Sequence, residues 1–180
     1  MKTTCLKTVG GAVLAILMLA VLVQLRVSAQ NKGNEEESNT QTQEDLSTWR
    51  KNTRKLEGVW NVQVTRLNCQ TGAALGTFPS MMTFIRGGVM NEFGSQGPPS
   101  MRGSGFGVWN YESRGEYASA FQFFRFNADG TLAGRQIVRQ QIELSDDGNS
   151  YTSSATAQVL DVNGNVIANN CSSGVATRFE

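Results

Sequence analysis

The segment EYASAFQFFRF-NADG-TLAGRQIVRQQIEL, residues 116–144, reads as a β-hairpin. Aromatic and β-branched residues recur in both arms. Between them, Asn127-Ala128-Asp129-Gly130 supplies residue types that accept a positive φ in a tight turn. With Asn127 set opposite Gly130, the two-residue period of a strand groups Tyr117, Ser119, Phe121 and Phe123 on one face. Leu132, Gly134, Gln136, Val138, Gln140 and Ile142 join them there.

The same reasoning extends downstream. Leu144 opposite Tyr151, and Val162 opposite Asn165, carry that face through Tyr151, Ser153, Ala155, Ala157 and Val159. It then continues through Val166, Ala168, Asn170, Ser172, Gly174, Ala176 and Arg178. Eight such runs are present, at residues 57–69, 76–86, 88–94, 105–112, 116–127, 131–144, 151–161 and 165–179. Short turn clusters such as Gln70-Thr71-Gly72, Gly87-Gly88 and Asn163-Gly164 separate most of them. The spacing predicts an all-β domain, an eight-stranded antiparallel up-and-down barrel. One connection, residues 95–104, carries Pro98 and Pro99 and reads as a loop or lid, since proline cannot donate to a ladder. Leu46, Trp49 and Leu56 among charges predict a short N-terminal helix over residues 46–56, placed to plug one barrel end.

Closure of the barrel rests on two pairs. Cys69 opposite Cys171 and Trp60 opposite Arg178 imply registers one step apart in a single ladder between the first and last strands, which would abolish the exposed edges. A disulfide between Cys69 and Cys171 is expected in an oxidising compartment. It would enclose a loop of about 100 residues and stabilise the fold by at most about 4.7 kcal/mol.

That compartment follows from the N-terminal segment. Lys2 and Lys7 precede an apolar run from Val9 to Leu25, and Val27-Ser28-Ala29 offers a small-residue cleavage pattern before Gln30. Residues 1–29 therefore read as a signal peptide, and the protein as secreted or periplasmic. Gln24 and Arg26 interrupt the end of the run and oppose a retained anchor, so membrane contact is expected only through the uncleaved segment. Residues 30–48 are polar and nearly without apolar side chains, which predicts a disordered tether. Residues 49–180 then form one domain. Removing Lys2, Lys7 and Arg26 from the 16 basic residues leaves 13 against 15 acidic ones. Without a concentrated basic excess, nucleic acid is not an expected partner.

Gly58-Val59-Trp60 at the start of the first strand and Arg178 near the end of the last resemble the lipocalin, or calycin, superfamily that includes the fatty-acid-binding proteins. The resemblance implies a barrel whose tryptophan closes the narrow end beneath an arginine from the final strand. A nearer likeness is to uncharacterised bacterial secreted proteins. It rests on Asn68-Cys69-Gln70-Thr71-Gly72, on Thr83-Phe84 with Gly87-Gly88, on Gly107-Val108-Trp109, and on the ending Arg178-Phe179-Glu180. It implies no activity.

The chain contains no histidine, which excludes Ser-His-Asp and Cys-His catalysis and histidine-bound zinc. No catalytic residue, metal or cofactor is expected from a motif. Asp146, Asp147 and Asp161 sit in turn sequences without calcium-loop spacing. Gly103-Ser104-Gly105-Phe106-Gly107 lacks the helix and lysine of a phosphate cradle and reads as the start of a strand. The inner face mixes aromatic with small residues, which predicts a cavity for one small hydrophobic or amphipathic molecule. Its expected ligand-facing residues are Arg66, Tyr117, Phe121, Phe123, Gln136, Gln140 and Tyr151. The alternatives are a cofactor-free enzyme resembling allene oxide cyclase or dirigent barrels, with Glu92, Tyr117 or Tyr151 moving a proton, and a structural envelope module with a filled barrel. Trp109, Tyr111 and Phe179 read as outward-facing. Oligomeric state is left open.

Overall fold

Eight antiparallel strands form the domain: β1 (Gly58–Leu67), β2 (Ala74–Ile85), β3 (Val89–Gly94), β4 (Gly105–Ser113), β5 (Glu116–Phe126), β6 (Leu132–Leu144), β7 (Ser150–Leu160) and β8 (Val166–Arg178). Each pairs with its neighbours in sequence, and β8 returns to pair with β1, so the sheet is a closed up-and-down barrel. The computed structural model describes Ser47, Thr48, Lys51 and residues 55–180. The segment expected to be a signal peptide (residues 1–29), most of the expected tether and most of the helix expected over residues 46–56 lie outside them; Ser47, Thr48 and Lys51 are helical and exposed.

Strand alternation builds the interior. Tyr117, Ser119, Phe121 and Phe123 of β5 are buried, as are Val138, Gln140, Ile142 and Leu144 of β6. The β6–β7 and β7–β8 ladders carry the expected registers, with Leu144 opposite Tyr151 and Val159 opposite Ala168. The β5–β6 register differs from expectation: Tyr117 faces Ile142 and Phe123 faces Gln136, two residues along from the pairing that Asn127 opposite Gly130 would give. The turn instead closes with the Asn127 N–H donating to the Thr131 carbonyl, and the register shifts once more between Arg125 and Phe126. A shift of two preserves which side chains point inward, so the inner face survives the correction.

Closure follows the Trp60–Arg178 register. Trp60 lies opposite Arg178, and Leu67 opposite Cys171. Cys69, two residues beyond Leu67, reaches Cys171 diagonally in a disulfide with the Cα atoms 5.2 Å apart. The bond ties β8 to the end of β1 at the rim of the barrel.

The two barrel ends differ in chemistry. At the closed end the Trp60 indole N–H donates to the Leu56 carbonyl (2.9 Å), and the Arg178 guanidinium lies 4.3 Å from the ring centroid. Arg178 also donates to the carbonyls of Lys55, Glu57 and Gly148. One planar fork thereby ties the lead into β1 to the β6–β7 turn, and its cation-π contact adds up to about 2 kcal/mol where water is excluded. Trp60 meets Tyr151 edge-on at 4.9 Å, and Phe84, Trp109, Tyr117 and Tyr111 continue the aromatic cluster. Trp109 and Tyr111 therefore face inward rather than outward. The Trp109 indole N–H is shared between the carbonyls of Ile85 and Val89, clamping the β2–β3 turn. Phe179 is exposed, as expected.

Candidate functional site: a cavity above the aromatic plug

Between this plug and the opposite, open rim lies a cavity of about 130 Å³. Its floor and one wall are Met82, Phe121, Phe123 and Val138, and β7 and β8 face them with Ser153, Ala155, Ala157, Ser172 and Gly174. The space exists because β7 and β8 line their part of the wall with small residues beside the bulky ones of β5 and β6. At Gly174 an added Cβ would lie 2.6 Å from the Ser153 hydroxyl oxygen, so that wall is already in close contact.

The structure places five of the seven expected ligand-facing residues in the cavity wall: Arg66, Phe121, Phe123, Gln136 and Gln140. Gln140 is buried, its side-chain carbonyl accepting from the Ser119 hydroxyl at 3.2 Å. Arg66 stands at the mouth, exposed and with its side chain on the inner face of β1. The other two, Tyr117 and Tyr151, face inward but lie in the plug beneath the cavity. The Tyr151 hydroxyl donates to the Met82 sulfur (3.3 Å), and burial raises the pKa of that phenol. Burial, reinforced by Tyr111 and opposed by Arg178, pushes the Tyr117 phenol up to about 12.

The sequence points to Glu92 only as a proton-transfer candidate for the enzyme alternative; what it misses is the partner that Glu92 holds in the wall. Glu92 is buried, with Oε1 accepting from the Ser80 hydroxyl (2.7 Å) and Oε2 from Arg102 (2.6 Å). Arg102 also donates to the Gly94 carbonyl and stacks 3.8 Å over the Phe123 ring. It comes from the connection between β3 and β4, whose only regular piece is a 3-10 turn at Pro99–Met101. That connection is latched onto the barrel, and it contributes Gln96 to the cavity wall. Both Glu92 oxygens are engaged, so the side chain holds the latch rather than standing free as a base. Gly94 and Gly105 make its room: a Cβ on either would come within 3 Å of a Glu92 oxygen. Gly103–Gly107 thus leads into a strand beside a buried carboxylate. Arg102 could not have been placed from the sequence, since it follows two prolines in a stretch without periodicity.

Two of the three aspartates placed in turns by the sequence, Asp147 and Asp161, bond within those turns, as does Asp129. Asp161 accepts from the Asn163 and Asn165 amides, Asp147 from Asn149 and Ser145, and Asp129 from Thr131. Among the described residues no group of three or more potential ligands is arranged for a metal ion.

The architecture is compatible with the calycin-like fold implied by Trp60 and Arg178. No protein-family model matches the chain, and no curated protein matches it in sequence.

Proposed function

We propose that this chain is an exported binding protein that holds a small amphipathic molecule within its barrel. The cavity carries this reading. A space of about 130 Å³ is close to the roughly 150 Å³ that accommodates benzene in a protein interior. It suits an apolar group of about six heavy atoms, with any polar part directed to the mouth. There Arg66, Gln136 and Gln96 offer donors. The Cys69–Cys171 disulfide supports the export half of the proposal, since such bonds persist where the surroundings oxidise.

Titration with p-cresol, benzoate and hexanoate, followed by the fluorescence of the two plug tryptophans and by amide NMR shifts, tests it. At least one probe should saturate with a Kd of about 1 mM or tighter, as a fragment-sized ligand allows. Ala155→Trp, or the smaller Ala157→Leu, fills the cavity and should weaken that binding at least tenfold while the far-ultraviolet spectrum of the barrel persists. No saturable response in the native protein, or equal binding by the filled variants, would overturn the proposal.

A further inference from the structure

The outer wall of the barrel is divided into sectors. Its mid-barrel charges gather on β6, where Arg135, Arg139 and Glu143 are exposed. On β7, β8 and β1 the outward positions are mostly Ser, Thr, Asn and Gln. On β2, β3 and β4 six of them are large and apolar, set among Thr77, Thr83, Asn91 and Asn110. Met81, Ile85, Val89, Phe93, Phe106 and Val108 are each between 42% and 65% exposed. Register joins them into one patch: Met81 lies opposite Phe93, Ile85 opposite Val89, Val89 opposite Val108, and Asn91 opposite Phe106.

We infer that this β2–β3–β4 face is the interface of a homodimer, occupied by the same face of a second copy. Three observations favour a second copy. The six side chains offer roughly 550 Å² of apolar surface, at the upper end of what a monomer leaves open. With the flanking Thr83, Asn91, Gln122 and Ala120 the face approaches the roughly 800 Å² that each partner gives to a standard interface. Its centre carries no charge, the exposed Arg86 and Glu112 standing at one end, so a two-fold axis through the centre brings no like charges together. It also spans the weakest seam of the barrel, where β3 and β4 pair only over Val89–Glu92, and a partner laid across that seam would brace it. The inference is independent of what the cavity holds.

Sedimentation velocity of the secreted protein over roughly 1–100 μM, a range suited to interfaces of this size, is the test. The protein should sediment as a dimer. Phe106→Glu, or Val108→Lys, places an unpaired charge in the interface and should raise the dimer Kd on the order of 100-fold while the β-sheet spectrum is kept. Thr152→Lys, exposed on β7 at the far side of the barrel from β3, should leave the dimer intact. A native protein that is monomeric throughout, or a Phe106→Glu variant that dimerises normally, overturns the inference. So does a monomer that floats with phosphatidylethanolamine/phosphatidylglycerol vesicles, which would make the face a membrane contact.

Discussion

Glu92 and Arg102 place opposite charges in the barrel wall with side-chain exposures of only 3% and 11%. Salt therefore screens the pair little, and each partner is held by further bonds: Glu92 by Ser80, Arg102 by the Gly94 carbonyl and the Phe123 face. A pair of this kind is costly to break from one side, because the remaining charge stays buried without its counterpart. Glu92→Leu or Arg102→Met alone should lower stability by about 3 kcal/mol, read as a shift in the urea midpoint. The double variant Glu92→Leu/Arg102→Met should lose less than either single change, since no charge is stranded. The loop should respond separately. Arg102→Met removes its latch, and proteolysis within residues 95–104 should accelerate more than in the double variant. Additive losses in the cycle would show that the two charges do not act as a unit.

Among the strands, β4 depends most on the absence of a side chain. At Gly107 a Cβ would run into the Ala120 carbonyl and the Phe121 backbone on β5. Gly107→Ala must therefore push β4 from β5 or tilt Phe121 into the cavity. A loss of about 2 kcal/mol or more is expected in urea unfolding, together with weakened binding of any cavity probe. Stability equal to the native protein would mean that the β4–β5 approach is looser than described. This dependence also shows what the sequence could reveal. The β6–β7–β8 hairpins were legible because tight turns fix pairing and alternation fixes the face. The inward residues of β5 were legible even though the β5–β6 turn was misjudged, because the bulged pairing slips by an even number. In β2–β4 no comparable signal existed. The turn at Arg86-Gly87-Gly88 and the long connection before β4 leave the register free, so nothing in the sequence turns Trp109 inward, where its indole clamps Ile85 and Val89. The cavity wall was legible where aromatic and small residues alternate, and illegible where an irregular segment supplies Arg102.

For the molecule as a whole, the groups that change charge between folded and unfolded states set the dependence of stability on pH. Side-chain hydrogen bonds from Thr131, Ser145 and Asn165, with backbone amides, hold the carboxyls of Asp129, Asp147 and Asp161 below the ordinary 3.8. Their contribution is fully present above that value and is lost as pH falls through the lower folded-state values, when the turns must take up protons. The buried phenols act at the other extreme. Tyr117 is raised to about 12, and Tyr151 is also raised, burial being the main cause for both. Their contribution is fully present below the unfolded value of 10.0 and disappears as pH climbs through the folded ones. Between these limits the usual source of a mid-range step is missing, because the chain has no histidine, and the described cysteines form a disulfide. Urea midpoints should therefore be flat from about pH 5 to about pH 9, fall below about pH 4 and fall again above about pH 10. Tyrosinate absorbance should rise for Tyr117 and Tyr151 only as the barrel opens. A stability step near neutrality, or ionisation of both plug tyrosines close to pH 10 in the folded protein, would contradict a closed aromatic end sealed beneath Arg178.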